Sequence, residues 1–266
     1  AFVIADQDER RALITAGLQK TAKELGGQVW HNADLLEEIN YLVEYPTPLY
    51  GRIDEEFLDL PVPAVVTPMR DHQRYYPVRK EDGSLMPYFL TVRNGGDRAI
   101  RNVQIGNERV LRARLDDAKF FFDGDRRKSL EGHREALSRI NYQEGMGTML
   151  DKSERLVKLV EAIGEDWNFT DTEKADIRRA AYLSKSDLAT GMVTEFTELQ
   201  GEMGKEYALL DGEKPKVAAA IFEQYMPRFA GDVLPKSSIG RALSLSDKLD
   251  NLAATFLRGL IPTGSQ

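Results

Sequence analysis

The sequence contains no cysteine and only three histidines, and both shortages limit the chemistry available to it. Without cysteine the chain forms neither a disulfide nor a thiolate zinc site. The histidines are His31, His72 and His133, so no imidazole after position 133 is available to bind a transition metal. The sequence also lacks an apolar run of about 18 residues, the length that a membrane-spanning helix needs. We therefore predict a chain without a membrane segment, of a composition that fits a cytoplasmic protein.

Positive charge is also in deficit, because 36 lysines and arginines stand against 43 acidic residues and the net charge is −7. A dedicated nucleic-acid-binding domain is usually basic. Bulk electrostatic attraction to nucleic acid is therefore excluded as the main source of binding, and any such binding requires a local basic patch.

Familiar catalytic motifs are missing as well. The chain has no Walker loop, no Gly-x-Gly-x-x-Gly, no Gly-x-Ser-x-Gly and no His-Glu-x-x-His. The sequence thus indicates no nucleotide cradle, no nucleophile elbow and no zincin-type metal site.

The first 95 residues combine helical and strand patterns. Apolar residues at helical spacing predict helices over 7–25 and 34–43, and Pro46 and Pro48 are expected to break the chain after them. Segments 73–79 and 85–92 are rich in aromatic and branched residues and flank an Asp82-Gly83 turn signal. This pattern predicts a β-hairpin.

Strand signals nearly vanish from residue 97 onward. The predicted helices cover 103–122, 130–140, 153–163, 171–192, 217–224 and 239–260. Thr170 and Glu173 form a capping-box pattern at the start of the fourth of them. The apolar residues of the last one cover more than one face, which predicts burial on two sides. We predict an α+β fold with an α/β portion at 1–95, connecting helices at 96–144 and an all-α domain at 145–266.

Two aspartates in the all-α part resemble the acidic ligands of HD-superfamily phosphohydrolases. Asp187 follows Ser186 where that superfamily has a His-Asp pair, and Asp247 occupies the place of its distant aspartate. The first histidine ligand is expected near Ser153, which leaves the site without nitrogen donors. We predict a degenerate HD-like domain that binds no metal. The alternatives are an active HD phosphohydrolase, or aspartates that cap or pair within the helices.

Three arginines lie close together in the predicted helix 103–122: Arg109, Arg112 and Arg114. Guanidinium groups suit bidentate phosphate contacts. Acidic residues are interleaved with them, namely Glu108, Asp116 and Asp117. The arginines therefore either contact phosphates or form ion pairs along their own helix. A second polar and aromatic segment, 71–77, is interpreted as an edge strand with packed tyrosines.

Several motifs, in order along nearly the whole chain, match a known family. They are LVEYP at 42–46, MRDHQRYYPV at 69–78, GNERV at 106–110, ARLDDAKFFF at 113–122, GTMLDK at 147–152, LSKSDL at 183–188, EFTELQGEMG at 195–204, QYMPRFAGD at 224–232 and LSDKLD at 245–250. The chain resembles the β subunit of bacterial heterotetrameric glycyl-tRNA synthetase. The family subunit is longer, so we expect an internal fragment that lacks the C-terminal anticodon-binding region.

The resemblance implies a non-catalytic role. In this family the α subunit has the class II active site, which activates glycine with ATP and Mg²⁺, and the β subunit helps to bind and position tRNA. The expected partners are the α subunit, in an α2β2 heterotetramer, and tRNA(Gly). The expected location is the cytoplasm. On this basis we expect Arg109, Arg112 and Arg114 to face tRNA, and no catalytic residue, metal or cofactor in this chain. A subunit-assembly module without RNA contact is the alternative.

Overall fold

The computed structural model describes residues 3–259 and confirms an α+β fold, with one antiparallel sheet and a large helical part. The chain forms two compact units, and the division falls within one long helix, between Phe120 and Phe121. All described strands belong to the first unit. The three-segment division at residues 95 and 144 stays a prediction.

The sheet of the first unit has the strand order β1-β3-β4-β2, and every neighbouring pair is antiparallel. The strands are β1 (Gln28–Val29), β2 (Pro46–Arg52), β3 (Tyr76–Arg79) and β4 (Leu85–Asn94). The predicted hairpin is confirmed as β3 and β4, in which Tyr76 lies opposite Leu90. Its turn uses Gly83 at a φ of 86°, a left-handed conformation that glycine adopts without steric cost.

The predicted chain break at the two prolines is wrong, because this segment is strand β2. Pro46 lies opposite Asn94 and Pro48 lies opposite Val92. In the described sheet β2 is an edge strand with β4 as its neighbour. An edge strand leaves half of its N–H groups outside the ladder, so it tolerates a residue that has none to donate.

Helices cover one face of this sheet. They are α1 (Gln7–Glu24) and α2 (Ala33–Leu42), and the ends of both agree with the prediction within two residues. A separate helix, α3 (Val62–Thr67), follows β2 along the chain. Ile14, Leu18 and Ile39 pack with Val78 and Leu90 of the sheet into a buried apolar core. The long helix α4 (Ile100–Asp125) follows β4.

The second unit consists of helices. They are α5 (Leu130–His133), α6 (Met149–Asp166), α7 (Asp171–Leu183), α8 (Gly191–Glu195), α9 (Glu202–Leu210), α10 (Pro215–Glu223) and α11 (Ser238–Leu257). The capping box is confirmed, because the Thr170 hydroxyl accepts from the Glu173 amide and the Glu173 carboxylate accepts from the Thr170 amide. Helix α9 was not predicted. Its Gly201 and Gly204 weakened the helical pattern that its apolar residues would otherwise show.

Two long predicted helices are shorter or broken. The helix expected over 171–192 ends at Leu183, because Lys185 has a φ of 72° and a short 3-10 helix, Ser186–Ala189, follows. The helix expected over 130–140 becomes α5 followed by a 3-10 helix, Arg134–Arg139. The predicted end of the last helix at 260 lies outside the described residues.

Helix α11 is buried on one side only in the described part of the chain. Ile239, Ala242 and Leu243 are buried against the unit, whereas Leu249 and Leu252 are exposed. The expected burial on two sides is therefore wrong for residues 3–259. Across the same residues, no helix has the length and apolar character that would let it cross a membrane.

Candidate functional site

The two predicted site aspartates have different roles in the second unit. Asp187 is fully buried in the 3-10 helix after α7, and its Oδ2 accepts a hydrogen bond of 2.6 Å from the Gly201 amide. Asp247 lies on α11, and its Oδ1 is 3.0 Å from Lys152 Nζ and 3.1 Å from Lys185 Nζ. Thus Asp187 accepts a hydrogen bond from a backbone amide, and Asp247 forms ion pairs with two lysines. Both contacts fit the alternative in which these aspartates cap or pair within the helices.

Asp247 belongs to a buried ionic group that we call the lysine–aspartate cluster, formed by Lys152, Lys185, Asp247 and Asp250. Lys152 Nζ also lies 2.9 Å from Asp250 Oδ2 and 2.8 Å from the amide oxygen of Asn251. Each of the four cluster side chains is at most 9% exposed. The two ammonium groups therefore bring α6 and the α7 terminus to the same point on α11.

Each carboxylate in the cluster is stabilised in its charged form. Burial alone would raise the pKa of Asp247, but the Lys185 and Lys152 charges outweigh burial and lower it. For Lys152, the carboxylates of Asp247 and Asp250 overcome the opposing effect of burial and raise the pKa. Burial lowers the pKa of Lys185, which lies wholly inside the protein, and Asp247 opposes that shift. The cluster is thus a set of charges that depend on one another.

The ammonium groups lie beside the positions expected for the missing histidines. Lys152 directly precedes Ser153, and Lys185 directly precedes Ser186. An ammonium group carries a positive charge and has no lone pair for a metal, so this donor set does not fit a metal ion. Within residues 3–259 no cluster of three or more His, Asp or Glu side chains has the arrangement for one. The HD-like label and the expected absence of metal stay predictions.

Neither lysine was singled out from the sequence, although both lie inside the family motifs 147–152 and 183–188. One signal could have identified them. Each lysine directly precedes a serine at a position where the HD superfamily has a histidine ligand. Sequence distance concealed the rest, because about 100 residues separate Lys152 from Asp250.

Two glycines of the motif at 195–204 permit close packing around the buried Asp187, one against Tyr225 and one against Asp187 itself. Gly201 has a φ of 82°, and a Cβ there would lie 2.7 Å from the ring of Tyr225. A Cβ on Gly204 would lie 3.0 Å from Asp187 Oδ2. The motif therefore has a structural role, because it packs the start of α9 against the buried Asp187 carboxylate.

The three arginines predicted to contact tRNA, Arg109, Arg112 and Arg114, lie on α4 in the first unit. They differ in whether they have an ion-pair partner. Arg112 Nη1 is 2.8 Å from Asp54 Oδ2, and both side chains are about half exposed. Arg109 and Arg114 are exposed and have no ion-pair or hydrogen-bond partner among the described residues. Glu108 accepts from the Arg52 amide and from Gln104 instead. The predicted ion pairs of these arginines along their own helix are therefore absent from the described structure.

Comparison with known proteins accounts for the motifs. The family model described as "Glycyl-tRNA synthetase beta subunit" matches residues 1–266. This chain belongs to that family. Among curated relatives, glycine–tRNA ligase beta subunits of Clostridioides difficile, Halothermothrix orenii and Shouchella clausii are 52%, 50% and 49% identical to it over 265 residues. These matches cover all of this chain and 38% of each relative, so the chain spans well under half of their length.

Proposed function

We propose that this chain is the part of a glycine–tRNA ligase β subunit that helps to bind and position tRNA for glycylation by an α subunit. The observation that carries the proposal is the match of the family model to all 266 residues. The sequence identity to a glycine–tRNA ligase beta subunit, 52%, supports it. In this proposal glycine activation, with ATP and Mg²⁺, takes place on the α subunit of a cytoplasmic α2β2 enzyme, and the present chain is inactive alone.

The surface of α4 supports contact with RNA. Arg109 and Arg114 project from an acidic chain as exposed guanidiniums without an acidic partner in the described residues. Such groups are free to form charge-assisted hydrogen bonds with phosphate oxygens. They are five positions apart on α4 and point about 140° apart around the helix, so each provides a separate local positive charge.

The experiment measures glycine activation and tRNA binding separately. Glycine-dependent ATP–pyrophosphate exchange is measured for this chain alone and for the assembled enzyme, and tRNA is crosslinked to the assembled enzyme by ultraviolet light. We expect exchange only with the assembled enzyme, and crosslinked peptides within residues 1–266. Exchange by the chain alone, or crosslinks confined to other parts of the enzyme, would contradict the proposal.

A subunit-assembly role is the second candidate, and one surface favours it. Leu245, Leu249, Leu252 and Phe256 form an exposed apolar stripe along α11 at helical spacing, with exposures from 39% to 58%. An exposed stripe of this kind is typical of a protein contact. If assembly is the main role, Leu249→Ser with Leu252→Ser will dissociate the α subunit while α4 substitutions leave tRNA affinity unchanged.

A further inference from the structure

A second cationic site lies in the first unit, around Trp30. Trp30 directly follows β1, and its amide donates to the Pro77 carbonyl of β3. Gln28 lies opposite Arg79 in this pair of strands, so Trp30 and Arg79 are diagonal neighbours on one face of the sheet. The Arg79 guanidinium lies directly over the indole ring, in contact with it.

A second guanidinium approaches the same indole from another element. Arg70 belongs to the short π-helix Pro68–His72 after α3, and its guanidinium carbon is 5.2 Å from the Trp30 centroid. Two like charges therefore meet at one aromatic ring. Attraction of each cation to the electron-rich face of the indole offsets part of their repulsion.

The in-plane donors of these arginines are not satisfied. Nε and Nη2 of Arg70 and Nε of Arg79 are buried and have no hydrogen-bond partner among residues 3–259. Burial first, and then the Arg70 charge, lower the pKa of Arg79, and no carboxylate in the described residues opposes these effects. Buried donors without partners cost about 1–3 kcal/mol each, and more when charged. Arg70 and Arg79 thus meet at Trp30 without an ion-pair partner among the described residues.

Two acidic residues of α2 form ion pairs with other arginines. Glu37 on α2 pairs with Arg11, and Glu38 pairs with Arg74, which lies in the same motif as Arg70. Arg74 thus forms an ion pair with a carboxylate, whereas Arg70 in the same motif has no such partner among the described residues. The other terminal nitrogens, Nη1 of Arg70 and both Nη atoms of Arg79, are outside the set of buried donors and have no hydrogen-bond partner among residues 3–259, so a ligand can reach these donors from solvent.

We propose that Arg70 and Arg79, held against Trp30, bind a phosphate group. Phosphate oxygens accept from the two accessible Nη groups of Arg79 and from Nη1 of Arg70, and they supply a negative charge to both guanidiniums. The phosphate belongs either to a tRNA strand or to a free nucleotide. The first source rests on the proposed tRNA-binding function, and the second does not.

The test uses the assembled enzyme and two probes, tRNA and ATP. Trp30 and Trp167 are the two tryptophans of the chain. Trp167 and every other tryptophan of the assembled enzyme, in both kinds of subunit, are replaced by phenylalanine so that Trp30 reports alone. Both affinities are taken from the Trp30 emission, so ATP bound at the α subunit is not counted. We compare Arg70→Gln and Arg79→Gln with Arg74→Gln, a control that removes an arginine of the same motif which already has an acidic partner.

We expect probe binding to change the Trp30 emission in the wild type. Each of the two site substitutions should weaken binding of the effective probe about ten-fold, as loss of a charged hydrogen bond does. For tRNA, the slope of affinity against salt should become shallower by about one unit per lost contact. Arg74→Gln should change neither quantity. Arg79→Lys, which keeps the charge but loses the fork, should weaken binding less than Arg79→Gln.

The outcomes separate this site from the proposed function. If tRNA binds equally to the wild type and to both site variants, and ATP affinity is also unchanged, the phosphate site is refuted while the tRNA-binding function stands. If the wild type does not bind tRNA, the tRNA function falls, and the ATP titration alone decides the site. A response of Trp30 that is the same in all variants also refutes the site.

Discussion

Lys185 Nζ lies 3.1 Å from Asp247 Oδ1 inside the helical unit, and both side chains are almost completely buried. Lys185 also has a left-handed backbone, which only a few non-glycine residues adopt. Its ammonium lies 4.2 Å from the centroid of the Tyr225 ring. The break after α7 thus places a cation between α11 and the segment that precedes α11.

The first prediction concerns loss of one charge from the cluster. Lys185→Met removes one of the two cations beside the buried Asp247 carboxylate, so it should lower the free energy of unfolding, by less than the about 3–5 kcal/mol of a fully broken buried pair because Lys152 remains. The exposed Lys20 is the control, and Lys20→Met should change stability by about 0.5 kcal/mol or less. Urea unfolding measures both. Adding Asp247→Asn to Lys185→Met should recover part of the loss, and a fully additive double variant would contradict the pairing.

The second prediction is a dependence of stability on pH. The folded pKa of Asp247 is lowered, so its contribution is fully present above the unfolded value of about 3.9 and is lost as pH falls through the folded pKa. Asp250 acts in the same direction. We expect stability to decline as pH falls below about 4. Urea unfolding between pH 7 and 3 should show a smaller decline in Asp247→Asn, and an identical decline would exclude this carboxylate as a cause.

The third prediction separates two costs of replacing glycine. Gly201 and Gly212 both have a left-handed backbone, but only at Gly201 would a Cβ collide with a neighbour. Gly212→Ala should cost about 1–2 kcal/mol, the penalty of that conformation alone. Gly201→Ala should cost more, because the Tyr225 ring must move and the amide that holds Asp187 is displaced. Thermal unfolding compares them, and equal losses would show that the close approach contributes nothing.

The fourth prediction concerns the arginines of α4. Arg109→Ala and Arg114→Ala should each weaken tRNA binding by the assembled enzyme and make its salt slope shallower by up to about one unit, with unchanged thermal stability. Arg112→Ala should have a smaller effect on tRNA affinity, because Arg112 pairs with Asp54. Its effect on stability should be about 0–1 kcal/mol, as for exposed ion pairs. Unchanged affinity and slope in all three variants would remove these arginines from the tRNA site.

Local sequence determined the features that depend on neighbouring residues. Thr170 and Glu173 are three residues apart, so their reciprocal hydrogen bonds could be predicted from spacing alone. The Asp82-Gly83 turn likewise joins two adjacent strands, and its hairpin was predicted correctly. The family motifs, read in order, also identified the family without any tertiary information.

Tertiary structure alone decided the features that join distant residues. Pro46 and Pro48 signal a break locally, yet pairing with β4 on a sheet edge makes them part of a strand. Helical periodicity continues past Leu183, but packing of Lys185 against Asp247 and Tyr225 ends the helix there. The partners of Asp187 and Asp247 come from other helices, and no short-range pattern encodes which distant side chain fills a buried position. Burial makes such contacts strong, because an unpaired charge inside the protein costs more than the backbone distortion that pairs it.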